Sequence, residues 1–552
     1  METFSLRADT RTRKSDSASR QGISPEFYIS AAVFLLSFSY LLLFRRYTTM
    51  EPDEGIVLQG AQRILHGQVM YRDFFSFLTP GSFYLHAFLF RIFGSSFIVP
   101  RTSLAFIGGV FSLIGYLLAR RVCSRASTLL GIVLLTFTTL PYRFLTLHNW
   151  DSTLLALLGL YCAVRMAESG RSGWIFAIGS LTSLTALFEQ SKGAGMAVGL
   201  LLGFGVLWKS NRFVLNGKQC IWLIAGFTWP FLITFIYFGS QHAIPAMLGD
   251  WLWPIRHYTA ANRVRFGYAN WSEETRHLLW ETGSLGIRGF RFLALSPTFL
   301  VPALMIIAVG LFCYWSYKLV RAGATAEQPA YYCVVTGVLV GLLLSVVMVR
   351  ADIIHFMYLQ PISGLLLVWI FDGRNIPGRL FKAVHPIVSA FLILAFLLFA
   401  IPLLLRAVNA PYKLETRRGV ITTPEPDTVT PFTQARVAPG ASVFVYPYLP
   451  LYNYFTATFS PTSLDYFQPG MNTPEQSQAI LNELKSGGVP IALFEPQFPL
   501  KIPSSWPGTP EKEIAQDPVA DYIAAHYRIC GALSSPEQWR IMYMVRADLE
   551  CR

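Results

Sequence analysis

Residues 27–55 read FYISAAVFLLSFSYLLLFRRYTTMEPDEG, an apolar run from Phe27 to Phe44, then Arg45 and Arg46, then the acidic group Glu51-Pro52-Asp53-Glu54-Gly55. A bilayer core of about 30 Å asks for roughly 20 such residues per helix. Ionisable groups placed where that helix meets water cost desolvation energy, and they mark reaction or transport pathways. The preceding residues 1–24 carry Arg7, Arg11, Arg13, Lys14 and Arg20, and no small-residue cleavage site follows the apolar run. This pattern predicts a retained signal anchor with a basic cytoplasmic amino terminus.

The rest of the chain continues the theme. Of its 552 residues 53% are apolar and only 14% charged, and the mean hydropathy is +0.43. That composition belongs to a polytopic membrane protein. The net charge of +13 comes from Lys and Arg in short clusters between apolar runs, not from one basic face, so nucleic acid is excluded as a partner. Apolar runs near 25–47, 101–119, 126–144, 150–167, 173–190, 194–208, 219–238, 297–317, 329–349, 353–371 and 383–405 predict about 11 transmembrane helices. Residues 80–94, PGSFYLHAFLFRIFG, are short and carry His86 and Arg91, and they read as an interfacial or re-entrant helix.

With that count the basic loops Arg120–Arg125, Arg165–Arg171, Lys209–Lys218, Lys318–Arg321 and Arg374–Lys382 all fall on the amino-terminal side, as the positive-inside tendency requires. Arg45 and Arg46 run against it. The outer side then receives loops 48–100 and 239–296, the turn His148-Asn149-Trp150-Asp151, the group Gln190-Ser191-Lys192 and the group Arg350-Ala351-Asp352. The transmembrane domain spans 25–406.

Residues 407–552 change to a polar, Pro-rich character and predict a small extracytoplasmic α/β domain. Ser442–Tyr446 and Val489–Phe494 read as short buried strands, and Pro474–Ser486 as a helix stopped by Gly487-Gly488. Of seven cysteines only Cys530 and Cys551 lie in a polar region, where an oxidising compartment permits a disulfide.

Several polar residues stand out against this background. Asp53 and Glu54 are adjacent carboxylates suited to general-base work or cation binding. Asp151 precedes Ser152-Thr153 at the start of a helix, as a second acidic group or as a helix cap. Lys192 can hold a phosphate as a point charge or snorkel to the headgroups. Arg350-Ala351-Asp352-Ile353-Ile354-His355-Phe356 sets a guanidinium, suited to forked phosphate binding, within one or two helical turns of an imidazole. Tyr358 follows. The aromatics of loop 239–296, among them Trp251, Trp271 and Trp280, suit either sugar stacking or an interfacial belt.

The acidic pair is followed by Gly67-Gln68-Val69-Met70-Tyr71-Arg72-Asp73, by Thr79-Pro80-Gly81, and by Phe93-Gly94 leading to Arg101. This arrangement resembles the first outer loop of the C-type (GT-C) polyprenyl-phosphate-dependent glycosyltransferases, the superfamily of the protein O-mannosyltransferases and the lipid A aminoarabinose transferases. The resemblance covers roughly residues 25–370 and is sharpest over 50–101. Gly55 stands where an aromatic is frequent, and Thr79-Pro80-Gly81 replaces the usual double proline. It implies a GT-C-like helical fold and transfer of a sugar from a polyprenyl-phosphate donor to an extracytoplasmic glycan, lipid or protein. In that expectation Asp53, Glu54 and Asp151 are catalytic, and Asp73, Lys192, Arg350, His355 and Tyr358 bind substrate. Acids near phosphates permit a divalent cation, but the spacing names no ligand set. A lipid-linked glycan polymerase or ligase and a transporter or flippase are the competing readings. The resemblance implies a bacterial inner membrane, with the polyprenyl-phosphate-linked sugar, the extracytoplasmic acceptor and membrane lipid as partners.

Overall fold

The computed structural model describes residues 25–258, 261–322, 327–374, 376–468, 471–536 and 539–551; the basic segment 1–24 lies outside the described residues. The chain folds as a helical membrane domain with a small α/β domain seated on one end.

The expected apolar runs are helices α1 (Pro25–Leu41, continued by a 3₁₀ turn Leu42–Phe44), α4 (Ile98–Ala119), α5 (Arg125–Tyr142), α6 (His148–Ser169), α7 (Ser172–Phe188), α8 (Gln190–Lys209) and α9 (Gly217–Ser240), then helices Leu285–Ala322, Glu327–Val349 and Arg379–Val408. The run expected at 353–371 is two helices, Ile353–Tyr358 and Gln360–Asp372, the second opening with Pro361 at its first turn. Seven helices among the described residues are long and apolar enough to cross a membrane, within Pro25–Phe44, Ile98–Ala119, Gln190–Lys209, Gly217–Ser240, Leu285–Arg321, Pro329–Val349 and Phe381–Val408. The protein is therefore an integral membrane protein. Loop 239–296 is shorter than expected. It contains helix α10 (Ile244–Trp253), and its last residues already belong to the Leu285–Ala322 helix.

Two sets of contacts define the ends of the bundle. At one end Tyr116 and Arg120 from the end of α4, and Arg125 from the start of α5, bond to Glu26 at the start of α1, while Ser124 N donates to Asp372. Basic residues thus share this end. At the other end, Arg101 in the first turn of α4 is paired with Glu54, just beyond α1. The chain from 48 to 100 therefore leaves and re-enters the bundle at the same end. It carries α2 (Pro52–Leu65) and α3 (Gly81–Phe93) without crossing. At 13 residues α3 rises about 20 Å, short of a bilayer core. Its Phe83, His86 and Phe90 are buried, while Phe88, Ile92 and Phe93 are exposed.

Helix packing uses small residues where no hydrophobic gain is available between lipid-soluble helices. Gly195, Gly199 and Gly203 of α8 lie against Gly337 and Gly341 of the Glu327–Val349 helix, so that the two backbones touch. A Cβ at Gly199 would sit 2.5 Å from Val338 Cα. The spacing of four between these glycines puts them on one face.

The α/β domain begins with an antiparallel hairpin, β1 (Tyr412–Thr416) and β2 (Gly419–Thr423), and Thr422 bonds to Arg46 and Thr48 at the exit of α1. A four-stranded sheet follows in the order β3 (Phe444–Tyr446), β4 (Ile491–Phe494), β6 (Arg540–Arg546) and β5 (Tyr527–Ser534). The parallel β3–β4 pair encloses the helix Pro474–Gly487 as a crossover. Thr473 and Gln476 cap that helix reciprocally, and Gly488 ends it at φ +53°. The pairs β4–β6 and β5–β6 are antiparallel, and Cys530 on β5 is disulfide-bonded to Cys551.

Replacing Gly199 by Leu forces the two helices apart and should lower the stability of the detergent-solubilised protein by about 1–3 kcal/mol or more. Gly205→Leu should unfold at the parental temperature, since Gly205 has open space around it.

Candidate functional site

A cavity of about 480 Å³ opens where the helix ends meet the α/β domain. Its walls come from seven places. They are the start of α2, residues 77–79 before α3, the α5–α6 and α7–α8 junctions, Pro254 with residues 262–269 after α10, the segment from Ser345 to Tyr358, and residues 448–539 of the α/β domain.

The acidic pair divides here. Neighbouring residues on a helix point about 100° apart, and in the first turn of α2 that angle separates Asp53 from Glu54 entirely. Asp53 lines the cavity, its side chain 42% exposed, whereas Glu54 is fully buried. Glu54 Oε2 accepts from Arg101 at 2.6 Å and Oε1 from Thr146 N at 2.8 Å. Arg101 in turn lies over the rings of Phe97 and Phe144. Arg143, at the end of α5, was not singled out from the sequence. It reaches Asp53 Oδ2 at 3.0 Å and Glu51 Oε2 at 3.1 Å. Burial, opposed by Arg143 and reinforced by the Asp53 and Glu54 carboxylates, raises Glu51 above its ordinary value. A signal for Arg143 existed in the sequence, since an Arg at the outer end of a span opposes the positive-inside tendency just as Arg45 and Arg46 do.

Arg350, Asp352, His355 and Tyr358 contribute to the same lining. Asp352 organises the group. It is the N-cap of helix Ile353–Tyr358, accepting from His355 N at 2.9 Å, and its carboxylate also takes His355 Nδ1 at 2.7 Å and Arg350 Nε. Burial would raise this carboxyl, but His355 and Arg350 outweigh it and hold Asp352 well below the usual carboxylate range. Arg350 also donates to Asn262 Oδ1 at 2.8 Å and to the Ser505 carbonyl of the α/β domain. Three of its five N–H groups are used in these bonds, which leaves a fork of known orientation beside the cavity.

The other sequence candidates lie elsewhere. Asp73 ends a tight turn in which Gly67 and Tyr71 have φ of +90° and +72°. Its carboxylate accepts from Val69 N at 2.7 Å and pairs with Arg72, which holds it below its ordinary value. Asp151 is not a cap, because α6 begins three residues earlier, at His148; it is buried and accepts from Ser82 Oγ of α3 at 2.6 Å. His86 of α3 stands 3.8 Å from the same oxygen, and burial pushes its imidazole down to about 4, so that it is neutral at neutral pH. Lys192 is 2% exposed and saturated by Glu189 at 2.7 Å, Asn149 O, Ser152 Oγ and Thr153 Oγ1. None of Glu54, Asp73, Asp151 or Lys192 lines the cavity, whereas Glu189, His148 and Asn149 do. Trp251 bonds to the Tyr71 hydroxyl, while Trp271 and Trp280 are exposed, and none of the three lines the cavity. Among the described residues no group of three or more His, Cys, Asp or Glu is gathered in the manner of a metal site.

Fold and site together define an integral membrane protein with a polar cavity at one end of a helical bundle, capped by an α/β domain and lined by a carboxylate and by a guanidinium–imidazole pair. Residues 78–189 match the dolichyl-phosphate-mannose-protein mannosyltransferase family, a stretch running from α3 to the end of α7. Among solved structures the chain is similar to ArnT from Cupriavidus metallidurans bound to undecaprenyl phosphate, at 14% identity, over 94% of this chain and 98% of that one, with a TM-score of 0.48. The apo state of the same protein gives 13% identity, 94% and 97% coverage and a TM-score of 0.47. No curated protein matches the chain.

Glu54→Gln should leave Arg101 buried without its counter-charge and lower the unfolding free energy by about 3–5 kcal/mol. Asp53→Asn should melt with the parent. Equal melting of the two variants in detergent would show that Glu54 does not hold the fold.

Proposed function

We propose that this chain is an integral-membrane glycosyltransferase that moves a sugar from a polyprenyl-phosphate donor to an acceptor on the extracytoplasmic side. The observation that carries this reading is the presence of Asp53 with Arg143, and of Arg350 with His355, on the walls of one cavity at the membrane end of the bundle. A lipid-phosphate sugar needs a cationic phosphate site beside the bilayer and a base within reach of the anomeric carbon. The family match over 78–189 supports the same donor class.

In this mechanism Asp53 takes the proton of the acceptor hydroxyl or amine as its oxygen or nitrogen attacks the anomeric carbon. The bond from that carbon to the phosphate oxygen breaks on the opposite face, and the electron pair leaves with the lipid phosphate. Configuration inverts. Arg350 and His355 stabilise the departing anion, with Tyr358 beside them. Arg143 holds the Asp53 carboxylate. Asp151 and Lys192 act through structure, by tying α3 and α8 to the start of α6. The Cys530–Cys551 disulfide and the basic residues at the opposite end of the bundle support an outward-facing cavity. In a bacterium this is the inner membrane.

Asp53→Asn should lower transfer from a labelled polyprenyl-phosphate sugar by about 10²-fold or more while the protein stays folded in proteoliposomes. Full transfer by this variant would remove Asp53 from the reaction. Arg350→Lys keeps the charge and loses the fork, and should raise the donor KM about tenfold with a smaller change in kcat. An unchanged donor KM would make Arg350 a tie between domains only.

A further inference from the structure

The α/β domain reaches the carboxylate directly. Tyr448, two residues beyond β3, donates its hydroxyl to Asp53 Oδ1 at 2.7 Å, while Arg143 holds Oδ2 at 3.0 Å. One oxygen is thus fixed from the membrane domain and the other from the α/β domain. The Tyr448 ring is itself confined. It meets Tyr466 and Trp506 edge-on at 5.9 Å and Phe498 at 6.0 Å, and the residue is only 9% exposed.

The two sides are also docked rigidly enough for this bond to set an orientation. Gly55, in the first turn of α2, lies against the backbone of the helix Leu451–Thr456, and a Cβ there would stand 2.8 Å from Leu451 Cα. Only glycine allows this approach. Further along α2, Arg63 is paired with Asp465 at 2.6 Å, and Gln62 accepts from Arg418 at 3.0 Å. Every turn of α2 therefore touches the α/β domain, and Asp53 and Tyr448 meet as parts of one body.

We infer that Tyr448 is a positioning residue for Asp53, and that the α/β domain completes the reaction site instead of serving only to capture an acceptor. The inference rests on the reading of Asp53 as the base. Held by two donors on opposite oxygens, the carboxylate cannot rotate about its terminal torsion, and its remaining lone pairs face the cavity in a fixed direction. Loss of the hydroxyl frees that rotation and leaves binding of donor and acceptor as it was.

Tyr448→Phe keeps the ring among Tyr466, Phe498 and Trp506 and removes one oxygen, so the variant should melt with the parent. Its kcat should fall about tenfold with the KM of donor and acceptor unchanged. In the Asp53→Asn background the same substitution should have no further effect on the residual rate. A parental kcat in Tyr448→Phe, a change confined to KM, or an equal loss in both backgrounds would each overturn the inference while an inactive Asp53→Asn left the assignment of the base intact. An active Asp53→Asn would sink both.

Discussion

The buried pair of Glu54 and Arg101 is the constraint on which the rest of the site depends. Both side chains are fully excluded from solvent, and either charge alone would be intolerable there. Their meeting fixes the first turn of α2 against the first turn of α4, and with Thr146 N on the second carboxylate oxygen it ties in the α5–α6 junction as well. The neighbouring Asp53 has little choice of position left. An acidic pair that looks like one chemical unit in sequence is thus a structural acid and a cavity acid, separated by a single helical step.

The same division runs through the other polar residues of the bundle. Lys192 saturates the start of α6 and the break between α7 and α8, and Asp151 with Ser82 fastens α3 to the bundle. Each bond closes a junction that forms a cavity wall. A helix end in a membrane protein exposes backbone groups that water does not reach, and charged side chains placed there satisfy them. Ionisable residues at membrane depth are then required for two different reasons, and only their neighbours show which applies.

That distinction sets how far the sequence could be read. The apolar runs, the short α3, the β3–β4 unit with its capped helix and the group from Arg350 to His355 were all legible, because each depends on local periodicity or on residues within a few positions of one another. Asp352 lay inside a quoted segment, yet its part as cap and joint between Arg350 and His355 needed the helix start to be known. The contacts that Arg143 and Tyr448 make with the cavity carboxylate were not legible, although Arg143 itself runs against the positive-inside tendency. Their partner Asp53 is 90 and 395 residues away, and Tyr448 stands in no pattern of its own. The edge strand β5 and central strand β6 escaped for a related reason, since YRICGALS and RIMYMVR show no alternation and become strands only by pairing with each other and with β4. The small-residue contact between α8 and the Glu327–Val349 helix was written in the glycine spacing, but its partner face is more than a hundred residues further on.

Arg350 shows why the α/β domain and the membrane domain act as one unit around the cavity. Its guanidinium joins Asp352 of its own loop, Asn262 of the loop after α10 and the Ser505 carbonyl of the α/β domain. A lysine could satisfy one of these acceptors well but not three in one plane. An anion arriving in the cavity meets a guanidinium whose orientation is already set by three chain segments, so little ordering remains to be done on binding. The cavity carboxylate is built the same way, with Asp53 held between Arg143 and Tyr448. Both charged groups are therefore anchored in part by the α/β domain, and a shift of that domain would move both together, changing the direction of the carboxylate and of the guanidinium in a single step.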